Sequence, residues 1–185
     1  MNTGTLCRDH EEKLCWELNP LKYSTVVLDL DGTLLNSNKE ISKRNLDAVL
    51  SCYQKGMRII FATARPPRAV NWFLPQELLD IGAFVYYNGA QVIFKVLPSM
   101  NTRSNPIVKP LKELKQYDAT KILLSGNNDS SELFKKFEVN VLITDNNQLI
   151  QIMPLLASKE LAITKLCELY NVELDSVIVF GDDHE

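Results

Sequence analysis

The sequence predicts an α/β protein: a Rossmann-like open parallel sheet with a small inserted α+β module. Residues 24–30 (STVVLDL) and 176–180 (SVIVF) are apolar runs without polar alternation, the pattern of strands buried on both faces. Strand-like and helix-like stretches alternate from the first of these runs to Tyr87, which implies right-handed parallel crossovers. The alternation breaks at Asn88-Gly89 and resumes at Ser158, so the intervening segment reads as an insert.

Each element has a local reason. Leu14, Trp16 and Leu18 leave the first 22 residues open between a short helix and a partly ordered tail. Asp31-Gly32 ends the first strand. Leu46, Val49, Leu50 and Tyr53 then fall at helical spacing, with Ser42 as N-cap and Gly56 as stop. Residues 58–62 (RIIFA) form the second strand, and Pro66-Pro67 open a proline-punctuated helical stretch towards Leu79. Residues 83–87 form the third strand.

Within the insert, residues 91–96 read as a strand and residues 97–110 as a proline-rich loop. Helical 111–117, strand 121–124, helical 131–137 and strands 140–144 and 148–153 follow, the last two joined at Asp145-Asn146-Asn147 by a hairpin turn. Ser158 caps a final helix with Leu161, Ile163, Leu166, Cys167 and Leu169 on its apolar face.

Composition narrows the function classes. At 185 residues the chain fits one domain, or one plus a small insert. With 45% hydrophobic and 23% charged residues it is not disordered as a whole. Lys+Arg number 20 against 23 Asp+Glu, a net charge of −3, which argues against a nucleic-acid partner. No apolar run approaches the ~18 residues that span a bilayer. The acid-containing start, MNTGTLCRDHEEKLCW, is not a secretory signal. Cys7, Cys15, Cys52 and Cys167 form no C-x-x-C pair, and His10 and His184 are the two histidines, so a Cys/His zinc site is not expected. Cys52 and Cys167 lie in apolar helical patterns and read as buried thiols, which implies a reducing, cytoplasmic setting. The sequon Asn128-Asp129-Ser130 carries no weight without an export signal.

The chemistry concentrates in Asp29-Leu30-Asp31-Gly32-Thr33, at the carboxyl end of the first strand. Open α/β sheets bind ligands there. Carboxylates two residues apart on an extended segment share a side. At ~4 Å they repel, and a cation or a shared proton resolves the repulsion. An acid at a buried strand end is costly unless it has a task.

The run VVLDLDGTLL resembles the first motif of the haloacid dehalogenase-like (HAD) phosphatases. Thr63, closing IIFAT, resembles the second motif; Lys159, in the first turn of its helix, the third; and Gly181-Asp182, after VIVF, the fourth. The insert is similar in position to the cap of the Cof-type, class IIB subgroup, where Thr63-Ala64-Arg65 and Tyr87-Asn88-Gly89-Ala90 also have close counterparts. The resemblance implies an N-terminal extension at 1–22, a HAD-like core at 23–88 plus 156–185, and a cap at 89–155. It implies a Mg²⁺-dependent phosphatase hydrolysing small, sugar phosphate-like metabolites through an aspartyl-phosphate.

In that reading Asp29 is the nucleophile and Asp31 the general acid and base. Thr63 and Lys159 bind phosphate, and Arg65 and Asn88 contact substrate. Asp29, the Asp31 carbonyl, Asp182 and Asp183 hold Mg²⁺. His184 is expected to face solvent. Residues 88–155 hold 8 Lys+Arg against 6 Asp+Glu, a mildly positive lid suited to a phosphorylated substrate.

The fourth motif usually continues Gly-Asp-x-x-Asn-Asp. Here it reads Gly181-Asp182-Asp183-His184-Glu185, with Glu185 where Asn is usual. A core incomplete at its C-terminal end is therefore expected, with the last strand as an exposed edge open to self-association. The alternatives are a non-catalytic or residual-activity phosphate-ligand binder or regulatory protein, and a phosphomutase of the same superfamily.

Overall fold

The computed structural model describes residues 22–93, 110–114, 119–125, 133–134, 136–144, 146 and 148–182. The chain runs β1 (Thr25–Asp29), α1 (Lys43–Gln54), β2 (Arg58–Ala62), α2 (Pro67–Phe73), α3 (Gln76–Ile81), β3 (Gly82–Tyr86) and a 3-10 turn at Tyr87–Gly89. It continues through β4 (Gln91–Ile93), α4 (Leu111–Leu114), β5 (Ile122–Ser125), β6 (Val139–Thr144), β7 (Leu149–Pro154), α5 (Lys159–Tyr170) and β8 (Val177–Phe180). The sequence expectations for residues 1–21, 94–109, Asp183 and His184 lie outside the described residues, as do residues 131, 132 and 135 of the helical stretch 131–137.

The main sheet has the order β4-β3-β2-β1-β8. β1 pairs in parallel with both β2 and β8, and β2 pairs in parallel with β3. After β1 the chain builds outward through β2 and β3, then returns to place β8 on the other side of β1. The order therefore reverses at β1, and the crevice beyond its carboxyl end is where such sheets bind ligands.

Alternation along the strands divides the core into two layers. Val26, Leu28, Ile59, Phe61, Phe84 and Tyr86 face one side and pack with Val49 of α1, Val70 of α2 and Leu78 of α3. Val27, Ile60, Ala62, Ala83 and Val85 face the other side and meet Ala162 and Leu166 of α5. Phe61 of β2 stacks on Phe84 of β3, with centroids 5.0 Å apart, and Phe84 stacks on Tyr86 of its own strand at 5.4 Å.

Helix ends follow local chemistry. Ser42 Oγ accepts from the Asn45 N–H at 3.1 Å, a cap worth ~1 kcal/mol. Pro75 divides the helical stretch after Pro66-Pro67 into α2 and α3. In α5 the buried positions are Ala162, Leu166 and Cys167, while Leu161 and Leu169 are exposed. The apolar face expected from the sequence is thus rotated, because the small Ala162 permits close approach to the sheet. Cys167 is buried and Cys52 half-buried, and both are free thiols.

β4 differs from the sequence reading, which starts the insert at residue 89. It pairs antiparallel with β3, joining Phe84 to Ile93 and Tyr86 to Gln91, and so belongs to the main sheet. Beyond it lies a separate antiparallel sheet of order β5-β7-β6. β6 and β7 form the expected hairpin, with Thr144 opposite Leu149. Ile150, Gln151, Ile152 and Met153 of the central β7 are buried. At the far side of the main sheet, β8 pairs with β1 alone among the described residues, and Val179 and Phe180 are exposed.

Candidate active site

Asp29 is the last residue of β1, with its side chain 13% exposed. Directly after it the backbone forms a wide turn, in which Leu34 N–H donates to Asp29 O and Leu35 N–H to Leu30 O. This turn places Asp31 off the strand. Each of the two acids therefore has its own cationic partners: Lys159 at Asp29, Arg65 and Lys39 at Asp31.

Lys159 Nζ donates to Asp29 Oδ1 at 3.0 Å. Ser158 sets this position: its Oγ accepts from Leu161 N–H and makes Lys159 the first residue of α5. Burial nevertheless raises the Asp29 pKa, against the lowering effect of Lys159, and the charge of Asp182 raises it further.

Asp31 has the opposite balance. Arg65 Nε donates to its Oδ2, and Arg65 Nη2 to its Oδ1 at 2.7 Å. Lys39 Nζ donates to Oδ1 at 2.6 Å. The Arg65 fork, aided by Lys39, holds the Asp31 carboxyl at a pKa of about 2. Arg65 also lies over the Phe73 ring, 4.6 Å from its centroid. The sequence reading made Arg65 a substrate contact; the structure shows it clamped on Asp31.

Lys39 was not singled out from the sequence. It sits on a short flap where Asn36 Oδ1 accepts from the Asn38 and Glu40 amides, and Leu35 bridges Ile41. The polar run Asn36-Ser37-Asn38 signals a turn that returns the chain towards Asp31.

Thr63 follows β2 and is buried. Its Oγ1 accepts from the Arg65 amide at 3.1 Å, which leaves the hydroxyl proton available to donate. Asn88 enters through its backbone: its N–H donates to Thr63 O at 3.0 Å. Tyr87, Asn88 and Gly89 all have positive φ, at 53°, 54° and 95°. Such strain persists where surrounding contacts enforce it. Here those contacts include the Thr63 hydrogen bond and a close approach of Gly89 to Ser158.

Asp182 lies just beyond β8, against the Asp31-Gly32 turn. A Cβ on Gly32 would stand 1.9 Å from Asp182 Oδ2, and the Gly32 φ is +78°. The positive φ favours glycine here, and a Cβ would push the Asp182 carboxylate aside. Thr33 Oγ1 donates to Asp182 Oδ1 at 3.5 Å.

The donor set fits Mg²⁺. Asp29 and Asp182 are close enough for one charge to raise the other's pKa, a repulsion that a bound cation relieves. No cluster of three or more His, Cys, Asp or Glu exists among the described residues. Mg²⁺ is commonly held by one or two carboxylates plus water and substrate phosphate, so it does not need such a cage.

The family model of the haloacid dehalogenase-like hydrolases matches residues 26–129 and 93–185. The chain belongs to this family. A subclass IIB sugar phosphatase shares the fold: it superposes with a TM-score of 0.67 at 16% identity, over 86% of this chain and 80% of that one. A Thermotoga maritima protein superposes with a TM-score of 0.71 at 21% identity, over 87% of this chain and 80% of that one.

Among sequence relatives, YxeH of Bacillus subtilis is 34% identical over 91 residues, 48% of this chain. The matched stretch spans 31% of the length of YxeH. The 5-amino-6-(5-phospho-D-ribitylamino)uracil phosphatase YitU of Bacillus subtilis is 23% identical over an alignment of 215 residues, covering 85% of this chain and 79% of that protein. Among the described residues, no helix is long and apolar enough to cross a membrane.

Proposed function

We propose that the chain is a Mg²⁺-dependent phosphoric monoester hydrolase acting on small, sugar phosphate-like metabolites through an aspartyl-phosphate. The observation that carries this reading is the pairing of Asp29 with Lys159, beside Asp182, at the strand ends. The naming of YitU as a phosphatase supports it.

Phosphate monoesters hydrolyse very slowly unaided, and enhancements up to ~10²¹ are known. A carboxylate nucleophile divides the reaction into two steps. Asp29 attacks phosphorus, and the phosphorus–oxygen bond to the leaving alcohol breaks. Lys159, freed from Asp29 as its negative charge is consumed, neutralises a phosphoryl oxygen. The Thr63 hydroxyl donates to another.

Asp31 gives its proton to the leaving alcohol, then takes one from the water that attacks the aspartyl-phosphate. Such acid–base help contributes ~10²–10⁴-fold. The ion pairs at Asp31 suit the second step, where the carboxylate accepts a proton. An arriving phosphate competes with Asp31 for Arg65 and Lys39, and its own negative charge raises the Asp31 pKa further, so that the carboxyl takes up the proton it then gives to the leaving alcohol in the first. Asp29, Asp182 and the Asp31 carbonyl would hold Mg²⁺, with Asp183 as a further candidate. The ion supplies charge neutralisation at phosphorus.

The small sheet and its flanking segments act as a cap in this reading, and the setting is cytoplasmic. The free thiols of Cys52 and Cys167 agree with a reducing compartment.

The test is release of inorganic phosphate from p-nitrophenyl phosphate with and without Mg²⁺, beside an Asp29→Asn control. Mg²⁺-dependent release, and a phosphorylated Asp29 peptide after acid quench, are expected. Release no greater than that of Asp29→Asn would sink the enzyme reading.

A further inference from the structure

One lysine outside this set reaches the rim of the site. Lys121 immediately precedes β5 in the small sheet, and its Nζ donates to the carbonyl of Ala64 at 3.3 Å. Ala64 lies between Thr63, whose hydroxyl faces the phosphoryl group in the proposed reaction, and Arg65, which grips Asp31. This contact brings the small sheet to the loop that closes the phosphate site.

The contact does not account for the cation. It is long, and its acceptor is neutral. Among the described residues no carboxylate pairs with Lys121. The side chain is half-buried, and that burial lowers its pKa. A desolvated ammonium with one weak neutral acceptor is unfavourable unless an anion completes its shell. Lys121 reaches Ala64 from the small sheet, on the loop between Thr63 and Arg65, so a group held there would belong to a part of the substrate beyond the phosphate itself.

We propose that Lys121 is a specificity-determining residue that binds a second anionic group, carboxylate or phosphate, on the leaving-group portion of the phosphoester. This rests on the phosphatase reading above and extends it to the substrate class. Lys121 touches none of the reacting groups. It selects among substrates, and turnover of esters with neutral leaving groups proceeds without it.

The experiment compares wild type, Lys121→Met and Lys121→Arg on four esters. p-Nitrophenyl phosphate and glucose 6-phosphate have neutral leaving groups; 3-phosphoglycerate carries a carboxylate and fructose 1,6-bisphosphate a second phosphate. Lys121→Met is expected to raise KM for one or both anionic-tail esters about tenfold, with KM for both neutral-tail esters unchanged and partial rescue by Lys121→Arg. The two anionic esters distinguish carboxylate from phosphate. Equal changes across all four esters, or no change on any, would overturn the proposal.

Calorimetric binding of the same esters to Asp29→Asn, with and without Lys121→Met, reads Lys121 independently of turnover. Selective loss of affinity for the anionic-tail esters supports the proposal even if hydrolysis fails, in which case the enzyme reading alone falls. Affinities indifferent to Lys121 overturn it.

Discussion

Gly89 and Ser158 meet backbone to backbone: a Cβ on Gly89 would stand 2.0 Å from the Ser158 carbonyl oxygen. Gly89 ends the turn after β3, and Ser158 caps α5. The first just precedes β4, the edge strand of the main sheet, and the second is where the chain comes back from the small sheet. One contact thus ties the start of β4 to the helix turn that carries Lys159.

Gly89→Ala should therefore impair catalysis more than folding. The new methyl group meets backbone, which cannot swing aside, and the φ of +95° adds strain. Displacing a catalytic group by about 1 Å can cost ~100-fold, and a kcat loss of that order on p-nitrophenyl phosphate is expected. Circular dichroism should show the fold retained. Unchanged kcat in a folded variant would show that Gly89 does not place Lys159.

Lys159→Met should move the acid limb of the pH–rate profile to higher pH. Burial already raises the Asp29 pKa, and Lys159 is the leading opposing influence. Without it the ionised, attacking form of Asp29 appears only at higher pH. The profile of kcat/KM reports this directly. An acid limb that stayed in place would contradict the assignment of Asp29 as the titrating nucleophile.

Arg65→Met should release the Asp31 carboxyl from its pKa of about 2 towards the ordinary value of 3.8. The folded-state pKa is depressed, so the stabilisation it represents is present above the unfolded value, near pH 4. It is lost as the pH falls towards 2. Urea unfolding should show wild type more stable than the variant at pH 6, with the gap narrowing between pH 4 and 2. Carboxyl-carbon NMR titration gives the pKa itself, and an Asp31 value unmoved by the substitution would rule out the clamp.

Tyr86→Phe should be neutral or stabilising, by up to about 1 kcal/mol. The hydroxyl is buried without a hydrogen-bond partner among the described residues, while the ring stack with Phe84 survives the change. Denaturant titration checks this. A loss above about 1 kcal/mol would reveal a partner for the hydroxyl.

Much of this architecture is legible in local sequence. The apolar run into Asp29 and the positions of Thr63, Lys159 and Asp182 at strand or helix ends follow from patterning. Other features depend on distant partners. The Gln91–Ile93 segment reads as a strand, but nothing local says that it turns back onto β3. In α5, Leu161 and Leu169 outweigh Ala162 by hydrophobicity, yet close helix–sheet approach favours the small residue. Asp29 and Asp31 look like a coupled pair only while the strand is extended through both; the turn after Asp29 separates their surroundings. Lys39 and Lys121 resemble ordinary solvated lysines until the flap and the small sheet bring them to the site.

β8 holds on to the sheet by one side, through β1, among the described residues. Amides of such a strand can exchange with solvent by local opening, without global unfolding. Asp182 follows β8, so a ligand that needs Asp182 binds only while the strand is docked. Ligand affinity and the exchange protection of the β8 amides are then two readings of one equilibrium. Ligand at 100 times its Kd would deepen that protection by about 2.7 kcal/mol.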